Sequence, residues 1–139
     1  MKHVKDIMVR EVATLKRNDE LSLADDVMRL GRIRHLPVVD EDTGQLVGIV
    51  SQRDLFRGAL VRAFGYGENA QRRVMKTIPV KEVMTTEPVT TTPDTALRDA
   101  ARLMLDKKIG CLPVLEGDKL AGILTEADFV ALSAHDKGA

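Results

Sequence analysis

Leu36-Pro-Val-Val39, a polar stretch, and then Leu46-Val-Gly-Ile-Val-Ser-Gln-Arg-Asp54 occur twice in this chain. The second occurrence is Leu112-Pro-Val-Leu115 followed by Leu120-Ala-Gly-Ile-Leu-Thr-Glu-Ala-Asp128. Working outward, Val4 to Asp42 aligns without a gap on Val80 to Asp118 at an offset of 76, with identities at 13 of 39 positions. They include Val4/Val80, Lys5/Lys81, Met8/Met84, Thr14/Thr90, Leu21/Leu97, Met28/Met104, Pro37/Pro113 and Asp42/Asp118. A repeat of this length is the first fact about the fold, because each copy must then be one structural unit. After a deletion of two residues the match resumes at an offset of 74. The deletion falls where Asp40-Glu-Asp-Thr-Gly-Gln45 faces Glu116-Gly-Asp-Lys119. Both stretches have turn composition between β-rich runs, so each repeat contains a hairpin whose turn tolerates the length change.

Around that hairpin each repeat reads as strand, helix, strand, turn, strand, helix. Val12 to Leu15 and Val89 to Thr92 are short β-branched stretches, and Asn18 and Asp94 are side chains suited to capping the next helix. Leu21, Ala24, Val27 and Met28 share one helical face, as do Leu97, Ala100, Leu103 and Met104. The Leu-Pro runs form the second strand, with proline near its start, where a missing N–H is tolerated. The Gly48 and Gly122 segments form the third, and a helix begins near Gln52 and near Glu126. One repeat alone is too small to bury a comfortable core. The expected fold is therefore α/β (α+β), with two β-α-β-β-α repeats packed through their sheets in pseudo-twofold symmetry. The limits read from the sequence are residues 1–57 for repeat one, 58–79 for a helical linker and 80–139 for repeat two. In the linker, Leu60, Val61 and Phe64 extend a helix, Gly65-Tyr-Gly67 breaks it, and Gln71 to Ile78 makes a further turn or more before Pro79.

Composition sets bounds. The chain has 139 residues, 44% hydrophobic and 30% charged, which is globular rather than disordered. Lysine plus arginine and aspartate plus glutamate each number 21, so the formal charge is zero. That balance, with 3% aromatics and no tryptophan, argues against nucleic acid as a partner. No apolar stretch approaches the roughly 20 residues needed to span a bilayer. The opening residues carry no apolar signal region. Cys111 is the one cysteine, so neither an internal disulfide nor a cysteine-built zinc site is expected. These features lead us to expect a cytoplasmic protein that does not contact the membrane.

Val-Lys-Asp-Ile-Met8, Arg-His-Leu-Pro-Val38 and Gly-Ile-Val-Ser-Gln-Arg-Asp54 together resemble a CBS domain, the module named after cystathionine beta-synthase. Val-Lys-Glu-Val-Met84, Gly-Cys-Leu-Pro-Val114 and Gly-Ile-Leu-Thr-Glu-Ala-Asp128 resemble a second copy, and the likeness covers roughly Val4 to Leu132. It implies a CBS pair, or Bateman module, which commonly dimerises and in many cases binds adenine nucleotides in clefts between the repeats. No residue block is left over for a catalytic domain. The expected function is thus a non-catalytic regulatory sensor for an adenine nucleotide (AMP, ADP or ATP) or S-adenosylmethionine, with no cofactor required. A homodimer and a regulated partner protein are expected with it.

The chemistry sits in Gly-x-x-Ser/Thr-x-x-Asp, here Gly48, Ser51, Asp54 and Gly122, Thr125, Asp128. A hydroxyl at a helix start, beside unpaired N–H groups and the positive dipole end, suits a phosphate. A carboxylate three residues on offers two acceptors to the adjacent hydroxyls of a ribose. Glycine lets a ligand approach the backbone closely. The resemblance implies the same roles for the aspartates and hydroxyls. The same spacing is also that of a capping box, in which the two side chains only satisfy the helix end. On that alternative the module is a ligand-free dimerisation or scaffold unit.

Arg53 lies inside the first motif where the second has Ala127, and its guanidinium could pair with a phosphate or be a solvated helix-face charge. Arg32, Arg34 and His35 face Lys108, Gly110 and Cys111, which makes the first motif the more cationic. The resemblance places His35, Leu36 and Pro37, and Cys111, Leu112 and Pro113, along a base pocket, together with Thr14 and Thr90. Core packing is the other reading for the Leu-Pro residues. No histidine is placed near Cys111 by the repeat, so no catalytic nucleophile is assigned, and no metal site is indicated. Leu55, Phe56, Leu60, Val61 and Phe64, then Phe129, Val130 and Leu132, make the helices after each motif apolar enough for self-association.

Overall fold

The structure is a computed structural model that describes residues 2–63 and 68–135, with side-chain surroundings for all of these but 59–63 and 68–71. Phe64 and the Gly65-Tyr-Gly67 break lie outside the described residues, as do the surroundings of Leu60 and Val61.

In chain order the elements are α1 (Val4–Ile7), β1 (Leu15–Lys16), α2 (Leu21–Gly31), β2 (His35–Val39), β3 (Leu46–Ser51), α3 (Gln52–Ala63) and α4 (Glu68–Met75). A single 3-10 turn over Val80–Glu82 follows, then β4 (Thr85–Thr86), α5 (Leu97–Lys107), β5 (Cys111–Glu116), β6 (Lys119–Thr125) and α6 (Glu126–His135). Among the described residues no helix is long and apolar enough to cross a membrane.

The chain folds as two compact units, one of Ala13–Pro88 and one made of the residues up to Val12 with those from Val89 onward. Each unit thus holds the body of one sequence repeat and the leading segment of the other. In the first unit the sheet runs β1-β2-β3-β4, with β1 parallel to β2 and the remaining pairs antiparallel. In the second, β5 and β6 pair antiparallel, and single bridges from Thr91 to Val114 and from Val9 to Ile123 flank them. Those bridges sit where the repeat offsets carry the Leu15–Val38 and Ile49–Thr85 pairs, so the units share one internal plan.

The leading segments are held by equivalent main-chain hydrogen bonds. The Val80 N–H donates to the Asp19 carbonyl (2.8 Å) and the Lys81 N–H to that of Arg17 (3.0 Å). Likewise the Val4 N–H donates to the Thr95 carbonyl and the Lys5 N–H to that of Pro93, both at 2.9 Å. Val80 is fully buried among Leu15, Leu21, Leu36, Val38, Val50 and Leu55, and Val4 among Ala100, Met104, Leu112, Val114 and Leu124.

These segments also explain where the sequence-based helix starts fail. The helices begin at Leu21 and Leu97, with Glu20 and Ala96 rather than Asn18 and Asp94 at the cap, and no side chain bonds to either end. A helix start leaves N–H groups unpaired, and here carbonyls of the leading segments accept them. Leu21 donates to Ile78 (3.0 Å) and Leu97 to Lys2 (2.9 Å). The strands expected over Val12–Leu15 and Val89–Thr92 shrink to Leu15–Lys16 and to the single Thr91 bridge.

The hairpins carry the length difference. In the first turn the Asp40 N–H donates to the Gln45 carbonyl, Asp40 Oδ1 accepts from the N–H groups of Asp42 and Thr43, and Arg17 pairs with the same carboxylate. In the second, Glu116 pairs directly with Lys119 across Gly117 and Asp118. The φ of +65° at Gly117 is what a tight two-residue turn requires of its first position.

Candidate functional site

The first motif lies in the unit of Ala13–Pro88. Strand β3 ends at Ser51, opposite His35 at the start of β2, and α3 begins at the next residue. Ser51 N–H donates to Asp54 Oδ2 (2.8 Å), and Asp54 N–H donates back to Ser51 Oγ (3.1 Å). This is a complete reciprocal capping box. The Gln52 N–H is also satisfied, by the Arg34 carbonyl at 2.8 Å. Asp54 Oδ1 accepts no hydrogen bond among the described residues, so the carboxylate keeps capacity for a further donor. Arg53 is exposed, and Ser51 and Asp54 are half-buried.

The second motif sits at the same place in the other unit, with Cys111 opposite Thr125 and α6 beginning at Glu126. Its bonding differs. Thr125 N–H donates to Asp128 Oδ2 (2.8 Å), but the Thr125 hydroxyl donates to that same oxygen (3.3 Å) rather than accepting from the helix. The Glu126 N–H bonds the Gly110 carbonyl at 3.2 Å. Burial, and then the charge of Asp128, push the Cys111 thiol up to about 12. A thiol so held is protonated at neutral pH and is a poor nucleophile there.

Some of the residues read from the sequence have another role. The space a side chain would fill at Gly48 is taken by Met84, with its sulfur 2.6 Å from an ideal Cβ, and by the Thr85 carbonyl at 2.9 Å. At Gly122 the Val9 carbonyl comes to 2.6 Å and Met8 to 3.1 Å. The close approach these glycines permit is therefore made by the leading segments of the chain, not by a ligand. Leu36 and Leu112 are fully buried in the cores of their own units, and core packing is their role. Leu55 is likewise core rather than association surface, at 1% exposure.

The remaining residues are spread along the strands that lead to the motifs. Pro37 and Pro113 are buried in mid-strand. Thr14 is exposed one residue before the Leu15–Val38 register, and Thr90 is half-buried beside the Thr91–Val114 bridge. His35 is half-buried. A cavity of about 410 Å³ that the sequence did not signal opens in the first unit among Asp26, Arg29, Gln52, Phe56, Arg72 and Lys76. It adjoins α3 but takes in neither Ser51 nor Asp54. Its walls come from three helices, and no local pattern ties them together.

Comparison with known proteins agrees with this fold. The CBS domain family model matches residues 4–60 and 80–135. The CBS domain-containing protein YhcV of Bacillus subtilis is 32% identical over 139 residues, covering all of this chain and 91% of that protein. Other relatives are longer. The chain spans only 25% of an inosine-5'-monophosphate dehydrogenase from Korarchaeum cryptofilum, at 31% identity over 97% of its own length.

Among solved structures, AcuB from Vibrio cholerae is 39% identical with a TM-score of 0.76, covering 96% of this chain and 91% of that one. CBSX2 in complex with AMP is 32% identical with a TM-score of 0.77, covering 96% and 97%. The CBS domain pair of MJ0100, in complex with 5'-methylthioadenosine and S-adenosylmethionine, is 28% identical with a TM-score of 0.76 and 95% coverage of both chains. With two matched domains and a relative of nearly its own length, the chain belongs to the CBS domain family, as a tandem pair.

Proposed function

We propose that this CBS pair is a non-catalytic regulatory sensor that binds an adenine nucleotide or S-adenosylmethionine through its Ser51–Asp54 and Thr125–Asp128 motifs. The observation that carries the reading is the Asp54 carboxylate oxygen that accepts no bond among the described residues, beside the exposed Arg53 and a helix start. A ribose hydroxyl and a phosphate find their complementary groups there. The binding of AMP by CBSX2, and of two adenosyl compounds by MJ0100, supports this ligand class. His35, Pro37, Thr14 and their equivalents Cys111, Pro113 and Thr90 border the motifs and are assigned to the base.

A ligand of this kind regulates by favouring the chain conformation that binds it. We assign the protein to the cytoplasm, where a single buried thiol such as Cys111 is at home. We also assign it a homodimeric state that uses α6. That helix buries no residue fully although it carries Phe129, Val130 and Leu132, and Val130 is 68% exposed. The regulated partner is a separate protein.

The complete capping box at Ser51 favours a second reading, a scaffold in which the motifs only close helices. Thermal melting with AMP, ADP, ATP and S-adenosylmethionine separates the two. A ligand at a hundred times its Kd stabilises by about 2.7 kcal/mol. A saturable rise in Tm with at least one of them is expected, and no rise with any at millimolar concentration leaves the scaffold.

A further inference from the structure

The two motifs occupy equivalent places but carry opposite charge. At the first, Arg32, Arg34, Arg53 and Asp54 give a net charge of +2. At the second, Lys108, Glu126 and Asp128 give −1, because Gly110 stands for Arg34, Ala127 for Arg53 and Glu126 for Gln52. The arginines are placed to act together. Arg34 lends its carbonyl to the first N–H of α3, Arg53 is the second residue of that helix, and Arg32 ends α2 in a left-handed conformation two residues upstream. All three are exposed, and among the described residues none of their guanidinium groups makes an ion pair or hydrogen bond. They form no part of a salt-bridge network. In the second unit the corresponding positions have no cation to offer a phosphate beyond Lys108, and Glu126 at the start of α6 repels one.

We propose that the motifs sort adenosyl ligands by charge. The Ser51–Asp54 motif takes the phosphorylated nucleotide, its phosphates met by Arg34 and Arg53. The Thr125–Asp128 motif takes an adenosyl compound that is uncharged or cationic beyond the ribose. This rests on the reading of the motifs as nucleoside sites and adds the ligand class of each. Arg34 and Arg53 discriminate because a guanidinium binds phosphate oxygens in a paired, charge-assisted geometry. Asp128 still offers its carboxylate to ribose hydroxyls, and the single charge of Lys108 is outweighed there by Glu126 and Asp128.

The test is calorimetric titration of the full chain with adenosine, S-adenosylmethionine and ATP. It compares the native protein with Arg34→Gln/Arg53→Gln, Asp54→Asn and Asp128→Asn. Among the described residues the arginine side chains bond to nothing, so the double variant keeps its structure, and asparagine retains a capping acceptor in the other two. ATP affinity is expected to fall at least about tenfold in the double variant and in Asp54→Asn, from the loss of charge-assisted bonds. Adenosine and S-adenosylmethionine binding is expected to persist in those variants and to be lost in Asp128→Asn. If ATP is indifferent to the arginines, or all ligands are lost through the same aspartate, the sorting is wrong while the nucleoside-binding reading stands. If no ligand binds the native chain, both fall together.

Discussion

Ser51 and Thr125 hold the same position in the two repeats and bond in different ways. The serine accepts from the Asp54 N–H and so completes its helix start, whereas the threonine hydroxyl turns to the Asp128 carboxylate. Removing the first hydroxyl thus leaves a helix donor without its partner, and removing the second takes away only a long bond to an already occupied oxygen. Ser51→Ala is expected to cost about 1 kcal/mol of stability, the usual value of a lost cap, and Thr125→Ala only a few tenths. Urea denaturation of the two variants checks this, and equal losses would mean that the helix starts are equivalent in solution. The motif itself was legible in the sequence as an ordered set of residue types. Which of its two chemistries the hydroxyl performs was not, because that depends on a rotation about one side-chain bond that spacing does not encode.

At the scale of elements, the helices that precede the second strands end alike. Arg32 and Lys108 both adopt left-handed backbone, at φ of 53° and 56°, with their N–H groups bonded back into the last turn. That conformation is costly for a residue with a Cβ and free for glycine. The positive charge offsets part of the cost by meeting the negative end of the helix dipole. Relief of left-handed strain of roughly 1–2 kcal/mol exceeds the roughly 0.4–1 kcal/mol of added unfolded-chain entropy. Lys108→Gly is therefore expected to stabilise the chain by about 0.5–1 kcal/mol, read as a rise in Tm. A fall would show that the lysine side chain contributes more than its backbone costs.

Elements were the most readable level. Apolar spacing in Leu21, Ala24 and Met28 fixes the buried face of α2, and the two-residue deletion locates both hairpin turns. The helix starts were missed for a physical reason. Asn18 and Asp94 have the composition of caps, but the donors they would have satisfied are taken by carbonyls of Ile78 and Lys2, which are distant in sequence.

For the whole molecule, the decisive feature is that each compact unit contains a segment that the sequence assigns to the other repeat. Val4 belongs to repeat one by alignment and to the core of Leu112, Val114 and Leu124 by packing. Val4→Ala removes buried methyl groups and is expected to cost about 1–3 kcal/mol. The loss should appear in the wrong repeat. Amide exchange is expected to quicken in β5 and β6 while β2 and β3 keep their protection, since opening is governed by local contacts. Faster exchange confined to β2 and β3 would contradict the packing. No pattern within one repeat reveals this arrangement, because Val-Lys-x-x-Met reads the same whichever core it enters.

The exchanged segments bear on descent as well as on stability. Internal similarity points to duplication of a half-length gene, and a product of that gene would have had a core with a vacancy where Val4 or Val80 now sits. Two such products could each have filled the other's vacancy with their own opening residues. Fusion into one polypeptide would make such a partnership permanent.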